Sequence, residues 1–159
     1  MSSSLTRQPK SKGILLDLGC GKSKKPGFTR MDRNKAVEPD ICWDLEKFPY
    51  PIPKESVVTM VASHIVEHIT PKVMIDFMNE LWRIAKEGCQ LAISMPYGYS
   101  SGFLQDPTHC NACNETTWTY FDPKFPLYKV YEPKPWKISF GPVYQANGNM
   151  EVILEKIKK

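Results

Sequence analysis

The feature that most constrains the fold is an apolar run, Ile14 to Leu18, that leads into a glycine-rich turn, Gly19-Cys20-Gly21. Such a run is typical of a buried parallel strand, and the glycines allow a sharp turn whose backbone lies against a ligand. Asp32 follows eleven residues after the turn, at the end of a second predicted strand. Its carboxylate can accept hydrogen bonds from two neighbouring hydroxyl groups, such as those of a ribose. This stretch therefore predicts a nucleoside pocket.

The spacing around the turn disfavours a dinucleotide. A dinucleotide site has a third glycine that opens a long helix, with its acidic residue about twenty positions further on. Here Lys24 occupies the third glycine position, and only residues 22–27 separate the turn from the next strand. Without a full crossover helix, a pyrophosphate loses the helix N-terminus that usually holds it. A cofactor that lacks phosphates fits this spacing better.

Several blocks of the sequence resemble the class I S-adenosylmethionine-dependent methyltransferases. The D-L-G-C-G block at residues 17–21 resembles the first motif of that family. Four further blocks resemble later motifs of the family and occur in the same order as in the family. They are D-L at 44–45, S-H-I-V-E-H at 63–68, L-W-R-I-A-K-E-G at 81–88 and D-P-T-H at 106–109. Together these blocks cover about residues 13 to 121, and they are most similar to the small type 11-like branch.

The resemblance implies a role for each matching residue. Gly19, Cys20 and Gly21 lie at the methionine part of the cofactor, where Asp17 orders the loop. Asp32 holds the ribose, whereas Asp44 and Leu45 bracket the adenine. Ser63 and His64 face the methyl group. A general base has to come from the three histidines of the chain, which are His64, His68 and His109, since histidine titrates near neutral pH.

Hydrophobic periodicity predicts an α/β chain with a mostly parallel sheet. Strands are expected at residues 14–18, 28–32, 39–45, 56–63 and 89–96, with a hairpin over 136–140 and 150–157. An apolar stripe predicts a helix from Pro71 to Lys86, with Gly88 as the stop signal after it. A short helix is expected near 115–121. With the resemblance, this is a three-layer Rossmann-like fold of about seven strands. It has one antiparallel strand near the C-terminus, and its first crossover helix is shortened or missing.

Length and composition limit the class of protein. A chain of 159 residues suits one domain, here residues 13–159 after a flexible arm over 1–12. Residues 97–135 form a long connection of the kind that often acts as a lid over a substrate. The net charge of +4 is compatible with nucleic acid without indicating it. No apolar run is long enough to cross a membrane, and the first ten residues lack the apolar core of a secretory signal.

The cysteines favour a reducing, cytoplasmic location. The chain has five cysteines, an odd number, and they are scattered rather than regularly spaced. Cys42 and Cys89 fall in apolar strand-like runs, where a free cysteine packs as a small apolar side chain. Such usage is not that of a disulfide framework.

Three other interpretations remain open. The H-x-x-E-H spacing of His64 and His68, or the cluster of His109, Cys110 and Cys113, would suit a zinc site or a zinc peptidase. Residues 94–97, S-M-P-Y, faintly resemble the motif that holds an amine or a flipped base in nucleic-acid methyltransferases. The chain could also bind S-adenosylmethionine or S-adenosylhomocysteine without turnover.

We predict an S-adenosylmethionine-dependent methyltransferase that acts on a small or medium acceptor. A sulfonium methyl group is already activated, so its transfer depends mainly on in-line placement of the acceptor. No metal ligand is assigned to the predicted site. The sequence identifies neither the acceptor nor the oligomeric state.

Overall fold

The structure is a computed structural model that describes residues 12–158. The predicted flexible arm over residues 1–12 therefore lies outside the described residues, except for Lys12. Seven strands form one sheet in the described part of the chain. They are β1 (Ile14–Leu18), β2 (Thr29–Asp32), β3 (Ile41–Cys42), β4 (Val57–Ser63), β5 (Ala85–Pro96), β6 (Trp136–Tyr144) and β7 (Asn149–Lys156).

The strands lie in the order β3-β2-β1-β4-β5-β7-β6. The first five pair in parallel, whereas β7 runs antiparallel to both β5 and β6. The prediction of about seven strands with one antiparallel strand near the C-terminus is confirmed. Because β1 pairs with β2 on one side and β4 on the other, the strand order reverses there, which is where open α/β sheets bind ligands.

The longest helix of the described residues is α1 (Met74–Ile84), which follows a 3₁₀ turn at Pro71–Val73. The predicted apolar stripe is confirmed, because Met74, Phe77, Met78, Leu81 and Ile84 are all buried. Shorter elements are α2 (Ser101–Leu104) and 3₁₀ helices at Lys35–Val37, Val66–His68, Glu115–Tyr120 and Pro126–Val130. None of the helices within residues 12–158 is long and apolar enough to span a membrane.

Helix α1 ends earlier than its sequence pattern predicts. The expected helix continues to Lys86, but the chain turns extended at Ala85, which pairs with Val57 of β4. Gly88, with a φ of 75°, then lies inside β5 rather than at a helix exit. A further helical turn would comprise residues 85–88, in which Ala85 is the only side chain that adds apolar surface to bury. Pairing with β4 is therefore the more stable arrangement.

The connection from β1 to β2 contains no helix, which confirms the predicted loss of the first crossover helix. The third strand is shorter than predicted, since only Ile41 and Cys42 pair with β2. The side chain of Asp44 accepts a hydrogen bond from Glu46 N at 3.0 Å. This turn ends the strand because it directs the chain away from the sheet edge.

Residues 97–135 pack onto the sheet through a buried tryptophan. Asn114 caps the 3₁₀ helix at Glu115–Tyr120, since its side chain accepts from the backbone N–H of Thr116 and Thr117. This cap holds the helix that carries Trp118, which is fully buried in the core. The expected short helix near 115–121 is thus present, as a 3₁₀ helix.

Candidate functional site

A cavity of about 350 Å³ lies at the carboxyl ends of β1, β2 and β4, beside the strand reversal. Six of the residues that the sequence predicts for the site line it: Gly19, Asp32, Asp44, Leu45, His64 and His68. The other lining residues are Arg33, Trp43, Glu46, Ile65, Ile69 and Thr108. Asp17, Cys20, Gly21, Ser63 and His109 are predicted site residues outside the lining.

The glycine turn has the backbone conformation that its sequence predicts. Gly19 and Gly21 have φ values of 61° and 52°, in the left-handed region that other residues rarely adopt. A Cβ atom on Gly19 would lie 1.8 Å from Cδ1 of Ile65, whereas one on Gly21 would meet no atom within 4 Å. Gly19 is therefore required both for its conformation and for the close approach of Ile65.

Asp32 connects the turn to the end of β2. Its Oδ2 accepts a hydrogen bond from Gly21 N at 2.9 Å, and its Oδ1 accepts one from Asn34 N at 2.8 Å. Each carboxylate oxygen has a further lone pair, and the residue lines the cavity. Two backbone hydrogen bonds thus fix the carboxylate while it keeps two acceptor positions for a ligand.

Three charged side chains hold the glycine turn from outside the cavity. Asp17, which is buried, pairs with Lys25 Nζ at 2.7 Å. Arg30 holds the end of the turn and the residues that follow it. Its guanidinium donates to four backbone carbonyls, those of Gly21, Ser23, Val37 and Glu38. The role of Arg30 cannot be predicted from the sequence, since nothing in the side-chain pattern marks its carbonyl partners.

The segment after β3 supplies one wall of the cavity. Asp44 and Leu45 line it, and so do their neighbours Trp43 and Glu46. The hydroxyl of Tyr50 donates to Leu45 O at 2.7 Å, and burial raises the pKa of this phenol well above its usual value. The phenol therefore stays a hydrogen-bond donor that fixes the backbone of this wall.

His64 follows β4 in a left-handed conformation with a φ of 55°. Its backbone N–H donates to Ser94 O at 2.8 Å, which continues the pairing of Ser63 with β5. The ring Nε2 lies 3.3 Å from the amide nitrogen of Asn149, and Nδ1 lies 3.3 Å from Oε1 of Glu67. If the amide donates to Nε2, the ring proton is on Nδ1, which lies near the carboxylate without forming an aligned hydrogen bond to it.

His68 and His109 lie beside each other, with ring centroids 4.8 Å apart. His68 lines the cavity, whereas His109 is not part of the lining. The two come together because Glu67 O accepts hydrogen bonds from Cys110 N and Asn111 N, at 2.9 and 3.1 Å. This long-range contact brings the D-P-T-H block against the end of β4.

The charges of the lining are mainly negative. Asp32, Asp44 and Glu46 each contribute a carboxylate, and Arg33 contributes a guanidinium. Such a lining repels phosphate groups and attracts a cationic ligand. Its electrostatics agree with the missing crossover helix, since both disfavour a dinucleotide.

Of the residues in the alternative interpretations, Cys110, Cys113 and Tyr97 lie outside the cavity lining, whereas His64 and His68 are part of it. Cys110 Sγ contacts Ile69 O, and the buried Cys113 contacts the side chain of Asn111. Within residues 12–158 these cysteines belong to no group of three convergent metal-ligand side chains. Tyr97 packs on Tyr144, with ring centroids 4.9 Å apart, rather than lining the cavity.

All five cysteines are unpaired thiols. Burial raises the pKa of Cys89 and of Cys113 to about 12, and it raises the pKa of Cys20 to a smaller extent. These thiols stay protonated at neutral pH, so they are neither nucleophiles nor ready metal ligands.

Three features together define a Rossmann-like methyltransferase fold. They are the order of the strands, the antiparallel strand β7 at the last position but one in the sheet, and the cavity at the carboxyl ends of the parallel strands. No protein-family model matches the chain. A search of curated proteins also finds no match. The fold is nevertheless similar to that of many solved structures.

One similar structure is an S-adenosylmethionine-dependent methyltransferase from Archaeoglobus fulgidus, with a TM-score of 0.66 and 17% identity over 91% of this chain and 87% of that one. A second is a methyltransferase of the same type from Methanosarcina mazei, with a TM-score of 0.64 and 15% identity over 94% and 95% of the two chains. A third, from Aquifex aeolicus, has a TM-score of 0.65 and 14% identity over 93% and 84%. At these identities the comparisons establish the fold.

Proposed function

We propose that the protein is an S-adenosylmethionine-dependent methyltransferase that acts on a small or medium acceptor. The observation that carries this proposal is the fixed carboxylate of Asp32 at the edge of a cavity that opens on the Gly19–Gly21 turn. In the proposed complex, Asp32 accepts hydrogen bonds from both ribose hydroxyls. The methionine part lies along the turn, and Asp44 and Leu45 bracket the adenine.

The electrostatics of the cavity support a sulfonium cofactor. Three carboxylates and one guanidinium line the cavity, so a positively charged sulfonium is attracted, whereas a pyrophosphate is repelled. The volume of about 350 Å³ falls at the lower end of the range for ligand pockets. It suits one nucleoside-sized cofactor, with the acceptor entering beside it.

We assign the role of general base to His64 among the three candidate histidines. It lines the cavity, and the carboxylate of Glu67 lies 3.3 Å behind its Nδ1. A carboxylate at that distance favours the protonated form of the imidazole through its negative charge. His68 and His109 pack on each other instead. For an acceptor that loses a proton, the imidazole of His64 is the proposed proton acceptor.

Residues 97–135 form the acceptor side of the site in this proposal. Thr108 brings this segment to the cavity lining, and Trp118 anchors it in the core. Closure of such a segment excludes water from the transfer of a methyl group. The unpaired cysteines further support the expected cytoplasmic location, since reducing compartments keep thiols free.

Isothermal titration calorimetry with S-adenosylhomocysteine as the ligand tests the proposed function. We expect saturable binding of one molecule per chain, and no binding of NAD⁺ or ATP at the same concentrations, because their phosphates meet the acidic lining. Absence of saturable S-adenosylhomocysteine binding up to millimolar concentration would refute the proposal. Equal or tighter binding of NAD⁺ would also refute it, because the cavity would then be a phosphate site.

A further inference from the structure

The carboxylate of Glu67 is fully buried, yet neither of its oxygens accepts a hydrogen bond. The contact with His64 Nδ1, at 3.3 Å from Oε1, lacks hydrogen-bond alignment. A buried charge is costly unless it is paired, hydrogen-bonded or bound to a metal ion. Glu67 therefore requires a partner at this position that its neighbours do not supply.

Two imidazole rings converge on the same carboxylate. One ligand atom from each of Glu67, His68 and His109 lies within 4.8 Å of the others. The backbone carbonyl of Glu67 accepts hydrogen bonds from the backbone N–H groups of Cys110 and Asn111. These bonds bring the segment of Glu67 and His68 against that of His109. The cluster is thus fixed by the backbone, not by the chance position of long surface side chains.

The hydrogen bonds behind the rings orient both histidines as ligands. Nδ1 of His109 lies 2.9 Å from Phe103 O, so it carries the proton, and Nε2 keeps a free lone pair. Nδ1 of His68 lies 3.3 Å from the hydroxyl of Thr108, which itself donates to the side chain of Asp106 at 2.7 Å. That hydroxyl therefore accepts from Nδ1, and Nε2 of His68 is also left free. Metal-binding histidines typically have such a partner on the second ring nitrogen.

We propose that Glu67, His68 and His109 bind a divalent cation of the zinc class. Two imidazoles and one carboxylate form a donor set that zinc and neighbouring first-row metals prefer. Ligand atoms of one tetrahedral ion lie about 3.3–3.6 Å from each other, since each bond is about 2.0–2.2 Å long. The three ligand atoms lie within 4.8 Å of one another, and because the ring of His68 is exposed, its rotation can bring them closer.

The proposed ion lies at the edge of the cavity, because His68 and Thr108 line it. Three protein ligands leave at least one coordination position open for water or for an oxygen of a bound molecule. Asp106 lies close as well, with Oδ2 3.6 Å from Nε2 of His109, beyond hydrogen-bond distance. This set of ligands differs from both zinc alternatives that the sequence suggests, since it includes Glu67 and no cysteine.

The test is metal binding by the purified full-length chain after treatment with a chelator. We expect about one Zn²⁺ or Co²⁺ per chain, a Co²⁺ spectrum of nitrogen and oxygen ligands without a thiolate band, and an increase of the melting temperature with Zn²⁺. Glu67→Gln and His68→Asn should each weaken binding at least about 100-fold, because loss of a ligand exceeds the roughly 10–100-fold loss for outer-shell changes. His68 is exposed, so its variant should fold even if Glu67→Gln does not.

Cys110→Ser is the matched control, since Cys110 adjoins His109 in the sequence but is not one of the proposed ligands. It should bind Zn²⁺ within about twofold of the wild type. A specific site binds about one ion per chain. Binding of less than roughly one fifth of an ion per chain at saturating Zn²⁺ would therefore overturn the proposal. Unchanged affinity in His68→Asn, or a thiolate band that Cys110→Ser removes, would also overturn it. None of these outcomes depends on cofactor binding, which the calorimetric titration measures separately.

Discussion

Replacement of Asp32 by alanine is expected to weaken cofactor binding without unfolding the protein. The two carboxylate oxygens already accept backbone hydrogen bonds from Gly21 and Asn34, at 2.9 and 2.8 Å. Each oxygen has one more lone pair to offer a ribose hydroxyl. Hydrogen bonds to a charged group contribute about 1.5–3 kcal/mol each, and less where water reaches the group. Because Asp32 is only partly buried, we expect a total loss of about 1–3 kcal/mol.

This loss corresponds to an increase of the dissociation constant of S-adenosylhomocysteine by a factor of about 5 to 150. Calorimetry measures it directly, at a temperature where circular dichroism shows that the variant is folded. The variant should also lose about 1–2 kcal/mol of unfolding free energy, because two backbone N–H groups lose their acceptor.

Asp40→Ala separates the two effects. Asp40 accepts a hydrogen bond from Arg30 N at 2.7 Å, so its loss also removes an acceptor at β2, but Asp40 does not line the cavity. This control should lose stability and keep its affinity within about twofold. If Asp32→Ala retains wild-type affinity while folded, or if Asp40→Ala loses as much, the placement of the ribose is incorrect.

The remaining predictions concern the turn and the thiols. Gly19→Ala should lower the unfolding free energy by about 2–4 kcal/mol, because strain at positive φ adds to a collision with Ile65. Gly21→Ala should cost only about 1–2 kcal/mol, since it adds strain without a collision. Equal losses of the two variants in urea unfolding would contradict the close approach of Ile65 to Gly19. Iodoacetamide labelling followed by mass spectrometry should modify the exposed Cys42 quickly, and Cys89 and Cys113 only on unfolding, because burial raises the pKa of both to about 12. Fast modification of either buried thiol in the native protein would show that its segment opens.

The part of the site that the sequence predicts well is the part whose chemistry is local. The turn at Gly19 and Gly21 follows from glycine's tolerance of positive φ, and it is found there. The carboxylate of Asp32 lies at the end of its own strand, so a strand pattern is enough to place it at the cavity. The buried stripe of α1 likewise depends only on the helical period.

The features that escaped prediction depend on partners distant in the sequence. Arg30 binds backbone carbonyls, which leave no trace in the side-chain pattern. The end of α1 at Ile84 is set by the pairing of Ala85 with Val57 across the sheet. The approach of His109 to Glu67 depends on a backbone contact between segments more than forty residues apart. In each case tertiary pairing overrides or adds to the local preference.

The most direct test of the proposed site is a crystal structure of the protein with S-adenosylhomocysteine. We expect both ribose hydroxyls within about 2.5–3.0 Å of the Asp32 carboxylate oxygens, the sulfur beside the turn at Gly19, and the adenine between Asp44 and Leu45. A ribose bound elsewhere in the cavity, or a cofactor that leaves the Asp32 carboxylate in contact with water alone, would contradict this placement.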